Sequence, residues 1–583
     1  MKRTDFSVDW LFAACAPDTE LLPWDAQFTP VDLPHDWQIR HADDLYRDGT
    51  LFYRKYFFVT DVPGIRRMLW FGGAYMDTTV FVNGTEVGQW KYGYTSFWFD
   101  ITDALHEGQN EVLVRCNLRH PNSRWYSGAG LYRNVELWEA PDLHLMPDGL
   151  YVAAKEGDNG AWTVAVTAEA GSVTAASAGR TLTLHLTDDN GSLLGTAAIP
   201  ADAWAALPSP DGWRTGKETA IYKASHTFTL QDPVLWDLDA PSFYHITAEL
   251  TGADGVTDTL TTRFGCRTIE ATPDCGLLVN HKRVLIRGVC IHHDFGCLGS
   301  AFEYSAAKRQ LEILKSMGVN SIRTGHTPPA PQFMDLADEM GILMDVESFD
   351  CWRSGKNPYD YGRFFDKWQE KDVAAWIRRD RNHPSLLFWC IGNEIYDTHA
   401  GSEGADTMRM LLAEVAAHDP ARNGIPTLGS NYMPWENTQH CADIIKVAGY
   451  NYGERLYAAH HEKHPDWVIY GSETSSIVQS RGIYHFPLSQ SLLSDDDLQC
   501  SSLGNSRTSW GAESWDVCLQ SEQRWPFTLG QYLWTGWDYI GEPTPYHTRS
   551  SYFGTIDTAG FPKDAYYVVQ AAWLDPKTHP MVH

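Results

Sequence analysis

The chain of 583 residues has no CxxC pair; its 11 cysteines stand singly. An odd count without framework spacing fits reduced thiols in a cytoplasm rather than a disulfide scaffold. No Lys/Arg run occurs, and the formal net charge is -28. Phosphate binding needs a clustered positive field, so nucleic acid and anionic membrane surfaces are not expected partners. Low-complexity tracts are absent, and no apolar run approaches the roughly 20 residues of a membrane span. The start, "MKRTDFSVDWLFAACAP", weakly imitates a secretion signal, but Asp5 and Asp9 interrupt it. Its apolar part, about seven residues, sits at the short limit of such a region, and the segment reads as mature, cytoplasmic protein.

Aromatic residues, by contrast, are plentiful: 24 Trp, 27 Tyr and 24 Phe. Most serve packing, although the same rings stack on apolar sugar faces. A length of 583 exceeds one hydrophobic core, and about three domains of ~150–200 residues each are expected.

Between about 50 and 140 the chain alternates with period two, as in "LFYRKYFFV", "TTVFVNGTEVG" and "NEVLVRCNL". Asn-Gly between two such runs signals a hairpin, and the region reads as an all-β sandwich. From 142 to 270, "WTVAVTAEA", "RTLTLHLTDDNGSLLG" and "YHITAELTG" continue the pattern at the spacing of an immunoglobulin-like sandwich. After about 275 the rhythm changes. Eight apolar strands ("RVLIRGVC", "NSIRTG", "ILMDVES", "SLLFWCIG", "PTLGS", "IIKVAGYN", "WVIYGSE", "TLGQYLWTGWDY") alternate with helices such as "SAAKRQLEILKSMG". That alternation predicts a (β/α)8 barrel over 271–583. A doubly wound sheet is the alternative, but neither GxGxxG nor a P-loop is present.

A barrel carries its active site at the C-terminal ends of its strands. Strand one ends in Arg287 and "CIHHD", with His292, His293 and Asp294; strand two in Arg323 and His326; strand three in Asp345, Glu347 and Asp350. Strand four gives Asn393 and Glu394, strand six Tyr450, Asn451 and Tyr452, strand seven Glu473, and strand eight Trp534, Trp537 and Asp538. Polar groups after seven of eight apolar runs point to a site. Glu394 and Glu473 face each other across such a mouth, which is the arrangement glycoside hydrolysis needs. Asn393 would suit a sugar 2-hydroxyl, and the surrounding His and Arg can bind hydroxyls and tune an acid. His292 and His293 lack any H-E-x-x-H or cysteine spacing. No metal site is therefore read, and no cofactor is required; an activating magnesium or sodium ion is left open but not indicated.

The motifs "NSIRTGHTPP" (320–329), "RDRNHPSLLFWCIGNE" (379–394) and "VIYGSETSS" (468–476) resemble the signatures of glycoside hydrolase family 2. "LPHDW" (33–37), "SRWYSGAGLYRNVEL" (123–137) and "WTGWDYIGEPTPY" (534–546) are similar to its bacterial β-galactosidase branch. The resemblance implies a jelly-roll domain over 1–141, an immunoglobulin-like domain over 142–270 and a catalytic barrel over 271–583. It implies Glu394 as general acid/base and Glu473 as nucleophile of a retaining exo-β-glycosidase, with carboxyl groups about 5–5.5 Å apart. His292, Asp294, His326, Asn393, Tyr452 and Trp534 fall where the family lines its sugar subsite, and Trp534-Thr535 where its clan carries a cis peptide. The family's glucuronidases use an Asn-x-Lys clamp; here its positions hold Ser551, Tyr552 and Phe553. A β-galactoside is the first expectation, with β-glucoside, β-glucuronide or β-galacturonide behind it. Arg124 stands where some relatives place a sugar-touching Asp, and an arginine there could serve a carboxylate instead. The partner implied is a small glycoside or oligosaccharide, with a homo-oligomer left open. A non-catalytic sugar-binding barrel is the non-enzymatic alternative.

Overall fold

The computed structural model describes residues 1–581 apart from 42, 61–63, 175–178, 208–211, 253–254, 497–498 and 511–512. The first sandwich packs a four-stranded sheet (Lys2–Asp5, Val135–Pro141, Ile65–Phe71, Phe97–Asp100) against a six-stranded one (Thr29–Val31, Trp10–Cys15, Gly49–Val59, Gly108–Leu118, Thr78–Val82, Thr85–Trp90). The hairpin expected at Asn-Gly is there: Val82 pairs with Thr85 across Asn83 (φ 49°) and Gly84 (φ 79°). Both residues occupy the left-handed region, the requirement of a turn whose twist matches its strands. The signal-like run near the start is strand Trp10–Cys15, paired on one side with Thr29–Val31 and on the other with Gly49–Val59. Its apolarity belongs to a sheet interior.

The second sandwich faces His144–Glu156, Ala161–Ser172, Ala220–Gln231 and Ala205–Ala206 with Leu193–Pro200, Thr181–Asp188, Tyr244–Gly252 and Gly255–Phe264. Strict alternation explains its core: Leu182, Leu184 and Leu186 point in from one strand, Ile246, Ala248 and Leu250 from its neighbour. Each such Leu or Ile contributes about 1.5–3 kcal/mol by leaving water. A three-stranded sheet (Ile269–Thr272, Gly276–Val279, Lys282–Val284) leads into the barrel.

Eight parallel strands close that barrel: β1 Ile286–Ile291, β2 Ser321–Thr324, β3 Leu343–Glu347, β4 Leu386–Asn393, β5 Ile425–Ser430, β6 Val447–Asn451, β7 Val468–Ser475 and β8 Gly530–Trp534. Covered by helices outside and side chains inside, β4 and β7 are buried along their whole length, as expected for parallel strands. β8 is shorter than its apolar run suggests. It ends at the cis Trp534-Thr535 bond, and Tyr539–Ile540 pairs separately with Ser550–Ser551.

Two expectations about the strand ends are corrected. Arg287 lies at the start of β1, not its end, and its guanidinium contacts the carbonyl of Trp573 on the far side of the barrel. Tyr450 points outward, its hydroxyl bonded to His460 Nδ1 at 2.9 Å, because successive strand residues face opposite sides. The first sandwich reaches the mouth through residues 122–127, where Tyr126 N–H donates to Ile540 O (3.0 Å) and Glu542 N–H to Arg124 O (3.1 Å). No helix among the described residues is long and apolar enough to cross a membrane.

Candidate active site

The site begins with one buried cation. Arg323, on β2, is fully enclosed in the barrel. Its guanidinium donates to Glu473 Oε1 (2.8 Å) and Asn393 Oδ1 (2.9 Å) and contacts Glu347 Oε1. The planar five-donor fork lets one side chain serve β3, β4 and β7 at once, which a lysine could not do. Burial works against its charge, but the neighbouring acids, Glu347 foremost and Glu473 among them, outweigh burial and keep it protonated. Asp345, whose Oδ2 lies 3.8 Å from Arg323 Nε, is pushed up to about 6, chiefly by burial.

Glu473 stands at the end of β7 with Tyr452 Oη donating to its Oε2 at 2.9 Å. Its carboxyl is raised to about 7, by burial first, with Arg323 opposing and the charge of Glu394 adding. Glu394 follows β4 in a left-handed conformation (φ 46°), and its N–H donates to Gly429 O at 2.9 Å. Asn451 Nδ2 donates to Glu394 Oε1 (3.0 Å) and to Asn393 Oδ1 (3.0 Å). The Ser472 hydroxyl donates to Asn451 Oδ1 at 2.6 Å and so fixes which end of that amide faces the glutamate.

Register explains how both carboxylates emerge. Pairing slips between Cys390 and Asn393 on β4, and between Gly471 and Glu473 on β7. Such bulges re-aim a side chain beside an active site. Tyr452 (φ 54°) and Ser475 (φ 70°) share the left-handed geometry, which costs about 1–3 kcal/mol per non-glycine residue and clusters at functional sites.

Aromatic rings wall the other side. Trp534 stacks on His326 at 5.3 Å with 3° between planes, and His292 lies between Trp125 (5.2 Å, stacked) and Tyr539 (4.1 Å). His326 Nδ1 shares a 2.6 Å hydrogen bond with Glu347 Oε2, and its Nε2 lies 3.7 Å from Glu473 Oε1. Burial first, then neighbouring positive charge or histidine, holds both imidazoles well below their usual range, so both are neutral. Neither ring nitrogen of His292 has a protein partner. A neutral imidazole offers one donor and one acceptor, which suits hydroxyl groups.

At the rim, Arg124 donates to Asp350 Oδ1 at 2.8 Å and lies 3.5 Å from Glu394 Oε2 and 3.6 Å from Glu542 Oε1. Lys356 Nζ adds bonds to Asp350 Oδ1 (2.8 Å) and Asn393 O (3.0 Å). Asn393 Nδ2 also donates to Asp350 Oδ1 at 3.0 Å, leaving one amide hydrogen outside these bonds.

The structure thus gathers Glu394, Glu473, Asn393, Arg323, His326, His292, Tyr452, Trp534 and Arg124 around one mouth. Four other residues named from sequence are held elsewhere. His293 turns to Ser127 O (3.1 Å) and packs on Tyr94 of the first sandwich. Asp294 receives the N–H groups of Gly296 and Ile540, both at 3.4 Å. Trp537 is buried, its carbonyl accepting from Thr535 Oγ1 at 2.7 Å. Asp538 is ion-paired with buried Lys563 at 2.7 Å. These four brace the walls of the mouth and make no contact with either glutamate. The alternation of "CIHHDF" puts only one of two adjacent histidines inward, which sequence cannot assign. Strand-end polarity does not point to Trp125, Lys356, Tyr539 or Glu542; Trp125 sits beside Arg124 in the motif 123–137, while Lys356 lies in a loop without any signal.

Among the described residues, one group of metal-type ligands stands together: Asp335, Asp338 and His383. Arg263 already faces them, 3.4 Å from Asp335 and 3.2 Å from Asp338. The cation of that cluster is a side chain, and the group lies away from the mouth.

The profile "Glycosyl hydrolases family 2, TIM barrel domain" matches residues 271–460, and "Glycosyl hydrolases family 2" matches 148–267. The β-galactosidase BoGH2A of Bacteroides ovatus is 34% identical, over 98% of this chain and 72% of that protein. The β-glucuronidase of Bacteroides fragilis is 26% identical, over 95% of this chain and 79% of its own. Among solved structures, a β-glycosidase from Bacteroides vulgatus superposes with a TM-score of 0.84 at 26% identity, covering 99% of this chain and 75% of that one.

Proposed function

The chain belongs to glycoside hydrolase family 2, and from that premise we propose a retaining exo-β-glycosidase that removes terminal β-D-galactosyl groups. The observation that carries the reading is the unequal setting of two carboxylates at one mouth. Glu473 is gripped by Arg323 and Tyr452, whereas Glu394 is steered by Asn451 toward the rim and Arg124. In the first step Glu394 gives its proton to the glycosidic oxygen while the Glu473 carboxylate attacks the anomeric carbon. The leaving alcohol departs and a glycosyl ester on Glu473 remains. In the second step Glu394, now a carboxylate, takes a proton from water as that water attacks the same carbon and frees Glu473. The oxygens Oε1 and Oε2 of Glu473 are both hydrogen-bonded, so the attacking group is aimed before substrate arrives.

The galactoside choice is supported by the name of the 34% identical relative. It is supported also by the lack of a cation at 551–553, where Phe553 is buried against Tyr539 (6.5 Å). A β-glucuronide is the second reading, favoured by Arg124 and Lys356 at the rim and by the Bacteroides fragilis relative. Both cations already face Asp350, and Arg124 also faces Glu394 and Glu542, which leaves little positive field for a substrate carboxylate.

A panel of p-nitrophenyl β-D-galactoside, glucoside, glucuronide, mannoside, fucoside and galacturonide tests the choice. The galactoside should have the highest kcat/KM; a galactoside rate well below the others overturns it. With Glu394→Ala, azide should restore turnover and yield a β-glycosyl azide. An α-azide, or no rescue, would contradict the assigned roles.

A further inference from the structure

The two residues after Glu394 lead into an aromatic cluster that the catalytic steps above do not use. Tyr396 lies two positions beyond it, and His399 sits on the short helix Asp397–Ala400. Tyr432 follows the end of β5, whose Gly429 carbonyl accepts the Glu394 N–H. His399 stacks on Tyr432 (4.0 Å, 29° between planes), Tyr396 meets Tyr432 edge-on at 6.2 Å, and Trp435 lies 5.6 Å from His399.

These rings are not a closed core. Tyr396 is 38% and Trp435 57% exposed, although a tryptophan gains more than most side chains from burial. His399 Nδ1 is buried without a protein partner. The neighbours are polar and charged: Lys356 Nζ lies 5.9 Å from the Tyr396 ring while bonded to Asn393 O, and Arg124 is 3.5 Å from Glu394. The cluster also feels the acid/base directly. The Tyr432 hydroxyl is raised by burial first and then by the charge of Glu394. Exposed ring faces with a spare imidazole nitrogen, adjoining the carboxyl that protonates the leaving oxygen, match the needs of a leaving group.

We propose that Tyr396, His399, Tyr432 and Trp435 form the aglycone subsite, receiving a leaving group with a flat apolar face, either an aryl ring or a second pyranose. The inference rests on the glycosidase reading and on Glu394 as its acid. The leaving oxygen must lie against Glu394, so the group attached to it projects toward the rim beside that residue. There Trp435 and Tyr396 cover its face, and the His399 imidazole meets a hydroxyl or nitro oxygen.

Glycosyl fluoride separates the two readings, because fluoride is a leaving group too small to reach these rings. Trp435→Ala and Tyr396→Ala should each lower kcat/KM for the p-nitrophenyl glycoside by about fivefold, the worth of one aromatic contact. The β-glycosyl fluoride of the same sugar should keep its wild-type kcat/KM. A disaccharide of that sugar, run alongside, distinguishes the two kinds of ring: whichever substrate loses more identifies the preferred leaving group. Equal losses for fluoride and aryl glycoside would mean that the rings support the fold, and an unchanged aryl rate would mean that nothing rests on them. Either result overturns the subsite. Wild-type turnover of none of these compounds would instead remove the glycosidase reading, and the subsite with it.

Discussion

Strand β1 has a basic side chain close to each end, and the barrel treats the two oppositely. At its start, Arg287 reaches the carbonyl of Trp573, while Lys315 and Arg283 nearby contact the carbonyls of Met340 and Pro526. They line a cavity of about 870 Å³ at the base of the barrel. Just past its end, His292 has no protein partner for either nitrogen and sits among Trp125, Trp534 and Tyr539. At the base, cations satisfy backbone carbonyls, two of them closing helices Pro331–Met340 and Asp564–Trp573, which is the stabilising arrangement for a helix C-terminus. At the mouth, Arg323 is spent instead on the carboxylates of other strands. That cavity is not where the buried carboxylates gather. What marks a site is buried charge held by partners from several strands, together with polar atoms left without one.

This contrast can be broken by substitution at either end. The largest effect is expected for Glu473→Gln, which keeps shape and a hydrogen-bond acceptor but removes the proposed nucleophile. Turnover of the best aryl glycoside should fall by roughly 10⁴ or more, while the thermal midpoint stays near wild type. Near-normal activity would show that the mouth does not house the reaction.

A change of pH should act at the mouth next. In the proposed mechanism Glu473 must be ionised to attack, and its carboxyl lies at about 7, above the usual range because of burial. Protonation therefore removes activity as pH falls through that value. A profile of kcat/KM should drop below about pH 7, approaching tenfold per pH unit. A rate level down to pH 5 would show that Glu473 is ionised well below 7 or is not the attacking group.

The smallest effect belongs to the base. Arg287→Ala removes one helix-end cation and should cost about 1 kcal/mol of stability, seen as a lower denaturation midpoint. Its kcat/KM at a temperature where both proteins are folded should match wild type. A large loss of activity from this end would erase the distinction between the two faces.

Much of this was legible in the residues. Period-two alternation located both sandwiches, Asn83-Gly84 located a turn, and eight apolar runs gave the barrel in its observed order. Strand-end polarity named Asn393 and Glu394 because they follow a strongly apolar run, and Arg323 because it stands in the second strand. It failed where a side chain's direction hung on one residue of register. His292 and His293 are adjacent, and only one faces the mouth; Tyr450 and Asn451 likewise divide, one outward to His460, one inward to Glu394. A one-residue slip exchanges the two faces of a strand, and the bulges that decide it leave no mark in composition. Asp538 shows a different limit. It lies four positions past the end of β8 rather than at it, and Lys563, 25 positions on, claims its carboxylate.

By itself, then, the sequence determined the order of domains and the barrel, because local periodicity and apolar runs record which faces are buried. Only the tertiary structure decided which polar side chains meet. The network of Arg323 joins residues up to 150 positions apart, and the rim joins Arg124 of the first sandwich to Asp350 and Glu394 of the barrel. Hydrogen bonds and ion pairs depend on ångström-scale separation in space, for which distance along the chain is no guide.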